Sequence, residues 1–109
     1  MNTHQIIEIT LVNEGITLDS VDLEPTTHTS GYYVGNRGLR FDPKDVLAIA
    51  KAIETCRNSS SLVGTWLERD SIYVDSTSWI ESLPDALALA KARKELAIWD
   101  IANSTSIYL

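Results

Sequence analysis

Residues 82–109, SLPDALALAKARKELAIWDIANSTSIYL, constrain the fold more than any other stretch, because a helix start, a helix and a two-stranded return follow one another within it. Ser82 is suited to cap a helix, Pro84 to its first turn and Asp85 to a position three residues after the cap. The helix reads from Ala86 to about Lys94, with Leu83, Ala86, Leu87 and Ala90 on its buried side. Two readings of residues 95–103 are open. Glu95 and Leu96 favour helix and no glycine ends it, so a single helix to Asn103 is one. The β-branched and aromatic content of Ala97-Ile98-Trp99-Asp100-Ile101, followed by a turn at 102–105 and Ser106-Ile107-Tyr108-Leu109, favours a strand pair.

The preceding chain reads as alternating strand pairs and helices. Ile6 to Val12 is β-rich and Asn13-Glu14-Gly15 is a turn signal before Ile16-Thr17-Leu18, which predicts a hairpin. Residues 19–30 carry acids, a proline and a Thr/Ser run, which predicts a surface loop. Tyr32 to Val34 and Leu39 to Phe41 read as the arms of a hairpin around Gly35-Asn36-Arg37-Gly38. Asp42-Pro43-Lys44-Asp45 predicts a helix start with Asp42 as cap, and Val46, Ile49, Ala50, Ile53 and Cys56 follow the helical period. Leu62 to Leu67 and Ile72 to Val74 form a further hairpin, with Ser76-Thr77-Ser78 as a kink. The expected architecture is one α+β domain spanning residues 1–109. It has two layers: one mainly antiparallel sheet of β-hairpins, and two helices packed on one face.

Size and charge bound what such a domain does. With 109 residues and 44% apolar content the chain fills one globular domain. No apolar run approaches the roughly 20 residues that cross a bilayer, so no membrane association is expected. MNTHQIIEIT lacks a basic segment followed by an apolar one, and a lone Cys56 forms no internal disulfide, so a cytoplasmic location is expected. The net charge is −6. It is concentrated in residues 1–30, where Glu8, Glu14, Asp19, Asp22 and Glu24 occur with no lysine or arginine. An acidic surface repels phosphate backbones, which argues against direct nucleic-acid binding and fits a basic protein partner.

The sequence carries no signature of catalysis or of a cofactor. Asp19, Asp22 and Glu24, or Asp70 and Asp75, are close enough in sequence to form a cation site, but their spacing lacks the alternating oxygen ligands and glycine of a calcium loop. His4, His28 and Cys56 are too few for a tetrahedral zinc site. Cys56 falls in phase with Ile49 and Ile53, as a small core residue. No serine lies in a G-x-S-x-G turn. Gly35-Asn36-Arg37-Gly38-Leu39-Arg40 lacks the lysine and the following helix of a phosphate loop. No catalytic, cofactor-binding or metal-binding residue is therefore expected.

The aromatic residues remain. Across the 62–74 hairpin, Trp66 and Tyr73 point outward together while Val63, Thr65, Leu67, Ile72 and Val74 point inward. Either this outward face is free to bind a protein, since Trp and Tyr dominate binding hot spots, or the sheet curls and buries it as a second core. The candidate partner-binding residues are Asp19, Asp22, Glu24, Trp66, Glu68, Asp70, Tyr73 and Asp75.

Tyr73-Val74-Asp75, the A-L-x-x-A-K-x-R pattern from Ala86 to Arg93 and Leu96-Ala97-Ile98-Trp99-Asp100 resemble small hypothetical proteins encoded by actinobacteria and their phages. Lys94-Glu95 stands where such proteins tend to have glycine or glutamine. The resemblance implies a phage or prophage accessory protein with no known activity, and hence a host protein as partner. The expected function is non-enzymatic protein binding, in its concrete form an acidic inhibitor of a host nucleic-acid-handling or defence protein. Two alternatives are a small ligand-binding or enzymatic domain with a site near the 31–40 hairpin, formed by Arg37, Arg40, His28 and Tyr33, and a homodimeric structural component.

Overall fold

The chain opens on a capping box: Asn2 accepts the Gln5 backbone N–H and the Gln5 side chain accepts the Asn2 N–H. In the computed structural model, which describes residues 1–109 apart from the side chain of Arg37, these caps start α1 (Thr3–Asn13). The expected strand over Ile6 to Val12 is thus a helix. Burial of Ile6, Ile7 and Thr10 on one side, together with the cap, overrides the β-branched composition. Glu14, at φ 68°, takes the left-handed conformation that ends the helix.

The remaining elements are β1 (Gly15–Asp19), β2 (Tyr32–Phe41), α2 (Val46–Ser59), β3 (Leu62–Glu68), β4 (Ser71–Ile80), α3 (Leu83–Ala92), β5 (Ala97–Asp100) and β6 (Thr105–Tyr108). All the strands join one antiparallel sheet in the order β1-β3-β4-β2-β5-β6. Three expectations change in detail. The 31–40 hairpin is one strand, β2, whose pairing with β4 is interrupted by a bulge between Asn36 and Leu39, so Gly38 lies in the bulge and Gly35 in regular pairing, and neither makes a turn. Ser76-Thr77-Ser78 continues β4 without a break. The cap of α2 is Asp45, while Asp42 accepts the Lys44 N–H in a local turn. The cap at Ser82 and the strand reading of Ala97 to Asp100 hold.

Alternation along β4 separates the two faces of the sheet. Ile72 and Val74 pack with Ile6, Ile7, Leu18, Ile49, Ile53 and Val63 in a core beneath α1 and α2. Further along the same strand, Ile80 joins Val34, Ala86, Ala90 and Ile98 beneath α3. All three helices therefore lie on the face of the even-numbered β4 residues, and the architecture is two-layer α+β. Between α1 and β3 the core holds one polar contact. Thr10 and Thr65 hydroxyls lie 2.6 Å apart, and Thr10 also bonds to the Ile6 carbonyl, so both buried hydroxyls are satisfied.

Candidate functional site

The odd-numbered residues of β4, Tyr73, Asp75, Thr77 and Trp79, point to the face without helices. Register places Trp66 opposite Tyr73, Gly64 opposite Asp75, Gly35 opposite Thr77 and Tyr33 opposite both Trp79 and Trp99. The outward pairing of Trp66 with Tyr73 read from the sequence is therefore present. Glu68, two residues beyond Trp66, shares this face by the same alternation.

The two ends of the face differ. One end is covered by the connection between β1 and β2, where Tyr33 Oη lies 2.5 Å from the Thr26 hydroxyl and 2.9 Å from His28 Nδ1. His28 stacks on Trp79 with ring centroids 4.9 Å apart, and the Trp79 indole N–H donates to the Ser30 carbonyl. This contact buries the Tyr33 phenol enough to raise its pKa, against the opposing effect of the Thr26 hydroxyl. Beyond this end, Trp66 of β3 meets Trp99 of β5 edge-to-face, centroids 6.4 Å apart, although β4 and β2 lie between their strands. The sheet is therefore curled, concave on its helix-free side. The curl brings the aromatic residues of this face together without fully burying them as a second core: Trp66 stays 38% exposed and Trp79 36%.

Asp75 lies between these ends. Its Oδ1 accepts a hydrogen bond of 2.6 Å from the Thr77 hydroxyl. A Cβ placed on Gly64 would lie 2.7 Å from Oδ1, and one on Gly35 would lie 2.7 Å from Oδ2 and 3.3 Å from Glu95 Oε1. The flanking glycines thus leave the space that the Asp75 carboxylate occupies, and Glu95 from the α3–β5 connection converges on it. Loss of water around the group pushes its pKa up to about 6. The Thr77 hydrogen bond opposes this shift, Glu95 adds to it and Arg93 partly offsets it. The Arg93 guanidinium is held by the Val34 and Gly35 carbonyls and the Ser78 hydroxyl.

The eight candidate residues fall into three groups. Trp66, Tyr73 and Asp75 are neighbours on the helix-free face, and Glu68 and Asp70 stand at the β3–β4 turn beside Trp66 and Tyr73. Asp19, Asp22 and Glu24 lie at the far end of β3, since Asp19 pairs with Leu62. There Asp19 and Asp22 accept backbone N–H groups of their own turn and Glu24 pairs with the Met1 ammonium at 3.0 Å, so these carboxylates order the loop. Two residues near the site were not picked out from sequence. Trp99 is one of several strand aromatics and Glu95 stands at an element boundary; nothing local marks either as a neighbour of Trp66 or Asp75.

The residues of the expected 31–40 site do not assemble. His28 and Tyr33 meet, but Arg40 is opposite Tyr73 at the other end of β2, and the Arg37 side chain lies outside the described residues. Among the described residues, no three His, Cys, Asp or Glu side chains are grouped so as to hold a metal ion. Cys56 is half-buried against the α2 core, and burial raises its thiol pKa, opposed by a Ser76 hydrogen bond and reinforced by Asp75. Two open depressions lie away from Asp75: one of about 400 Å³ beside Leu11, Lys44 and Arg69, and one of about 340 Å³ beside Asp19, Asp22 and His28. Among the described residues, no helix is long and apolar enough to cross a membrane. Comparison of the chain with protein-family models, curated proteins and solved structures finds no match in any of the three.

Proposed function

We propose that this chain is a non-enzymatic binding protein that holds a basic protein partner against the open end of its helix-free sheet face. The observation that carries this reading is the pairing of Trp66 with Tyr73 on that face, with the exposed carboxylates of Glu68 and Asp70 at the β3–β4 turn beside them. The aromatic pair supplies an apolar anchor on rigid strands, and the acids favour a cationic surface by complementarity. Arg40, opposite Tyr73, gives the strip one positive border and so a register for the partner's charges. The net charge of −6 adds long-range attraction for such a partner.

In its concrete form the protein is an acidic inhibitor acting in a host cytoplasm on a nucleic-acid-handling or defence protein, with its carboxylates standing where phosphates would bind. The resemblance of residues 66–109 to small proteins of actinobacteria and their phages supports this setting. The test is a partner capture at low and high salt with Glu68→Lys/Asp70→Lys, followed by competition of the captured partner with nucleic acid. Capture lost on charge reversal and in high salt, and displacement of nucleic acid from the partner, are the expected results. Capture insensitive to both salt and charge reversal contradicts the proposal.

A further inference from the structure

The sheet has two outer edges, and they differ. Along the second half of β1 outward backbone groups are taken: Asp19 N–H donates to the Glu24 carbonyl, and Thr26 N–H donates to the Thr17 carbonyl. Pro25 sits between these bonds in a bridge to Leu18 and presents no donor of its own. The inner strand β2 outruns β5, and there Arg93 covers the carbonyls of Val34 and Gly35 before the bulge breaks the strand. These are the usual ways in which a protein blunts an edge. At β6, among the described residues, none of them is present. Thr105, Ser106, Ile107 and Tyr108 include no charge, proline or glycine.

The phase of the β5–β6 ladder identifies the open groups. Leu109 N–H bonds to the Leu96 carbonyl, which makes 96/109 a hydrogen-bonded pair. In an antiparallel ladder such pairs alternate, so 98/107 and 100/105 are bonded as well. Ser106 and Tyr108 therefore direct their N–H and C=O groups away from β5, along the outer edge. The side chains beside that edge are also open: Tyr108 is 75% exposed and Leu96 81% exposed.

We propose that β6 is a homodimerisation edge, on which a second copy of the chain pairs its own β6 antiparallel about a two-fold axis at Ile107. This register sets Ser106 against the second copy's Tyr108 and Tyr108 against its Ser106. The four outward N–H and C=O groups of each copy then meet in four hydrogen bonds, because an antiparallel edge is its own complement. It also places Leu109 opposite the second copy's Thr105 and covers the Tyr108 ring next to Ser106 and Trp99 of the other copy. The absence of charge on the strand matters in a chain of net charge −6, since no like charges face one another across the axis. The two sheets become one continuous sheet, and the helix-free face of each copy stays open.

Sedimentation equilibrium over a wide concentration range reads the mass directly. The wild-type chain is expected at twice the chain mass and Ser106→Pro/Tyr108→Pro at the chain mass. The two prolines remove both outward N–H groups, and far-ultraviolet circular dichroism confirms that the variant is folded. Register is read separately in a Cys56→Ala background. Ser106→Cys mixed with Tyr108→Cys is expected to form a disulfide-linked heterodimer on oxidation, whereas neither variant alone cross-links. A wild-type monomer at every concentration overturns the proposal, as does a folded proline variant that remains dimeric, or cross-linking of either single variant with itself.

Discussion

Asp75 faces Gly64 across the β3–β4 pair, and a methyl group at position 64 would lie 2.7 Å from its Oδ1. The same methyl would collide with the Thr77 hydroxyl, which is bonded to that carboxylate. Gly64→Ala is therefore expected to destabilise the fold by about 1–3 kcal/mol, the range for overpacking a filled site. Urea denaturation of Gly64→Ala and of Gly38→Ala, whose Cβ would meet Tyr73 only at 3.3 Å, measures the contrast. A smaller loss at Gly38 is expected on steric grounds.

Stability should also report the state of Asp75. Its folded-state pKa of about 6 lies above the unfolded value near 4, so between the two the native state holds a proton that the unfolded state releases. This contribution is fully present below about pH 4 and is lost as pH rises through about 6. The charged native carboxylate thus costs roughly 2–3 kcal/mol at neutral pH relative to a group with no shift. Asp75→Asn is expected to stabilise the protein at about pH 8 more than at about pH 5, as measured by denaturation midpoints at both. Equal effects at the two values would show that Asp75 is not shifted.

The buried Thr10–Thr65 pair predicts a coupled loss. Thr10→Val leaves the Thr65 hydroxyl with only a 3.5 Å contact to the Ile16 carbonyl, and should cost about 1–3 kcal/mol. In Thr10→Val/Thr65→Val neither hydroxyl is left behind. The double variant is therefore expected to be more stable than the sum of the single changes implies, by about 0.5–3 kcal/mol in a double-mutant cycle.

Packing of the β1–β2 connection on Trp79 predicts a local effect of His28→Ala. The ring stacked on Trp79 and the contact to Tyr33 Oη are both lost. Hydrogen exchange of the Trp79 indole N–H, which is bonded to the Ser30 carbonyl, should accelerate while amides of β3 stay protected. Unchanged indole exchange would show that His28 does not hold this segment down.

Where the fold was legible in the sequence, local rules and tertiary burial agreed. The alternation of Val63, Thr65 and Leu67 with Trp66 gave the phase of β3, and Ser82 with Asp85 gave the start of α3. Where they disagreed, reading failed. Ile6, Ile7, Ile9 and Thr10 have strand propensity but lie in α1, and the signal that marks the helix is four residues long, Asn2 to Gln5. Gly35 and Gly38 look like turn residues because a glycine's local sequence does not say whether it bends the chain or makes room for a neighbour. Here Gly35 makes room for Asp75, forty residues away. The candidate site was half legible: Trp66 and Tyr73 are adjacent within one hairpin, whereas Trp99 and Glu95 reach it only through the strand order.

The most direct test of the binding-face account is partner capture by Trp66→Ala/Tyr73→Ala beside a control on the helix layer, Leu47→Ala. Leu47 is 79% exposed on α2, on the opposite side of the sheet. The account predicts that the stoichiometric partner held by the wild-type chain at low salt is lost from the aromatic variant and kept by the Leu47 variant, with both variants folded. Retention of the same partner by the aromatic variant, or its loss with Leu47→Ala alone, would contradict it.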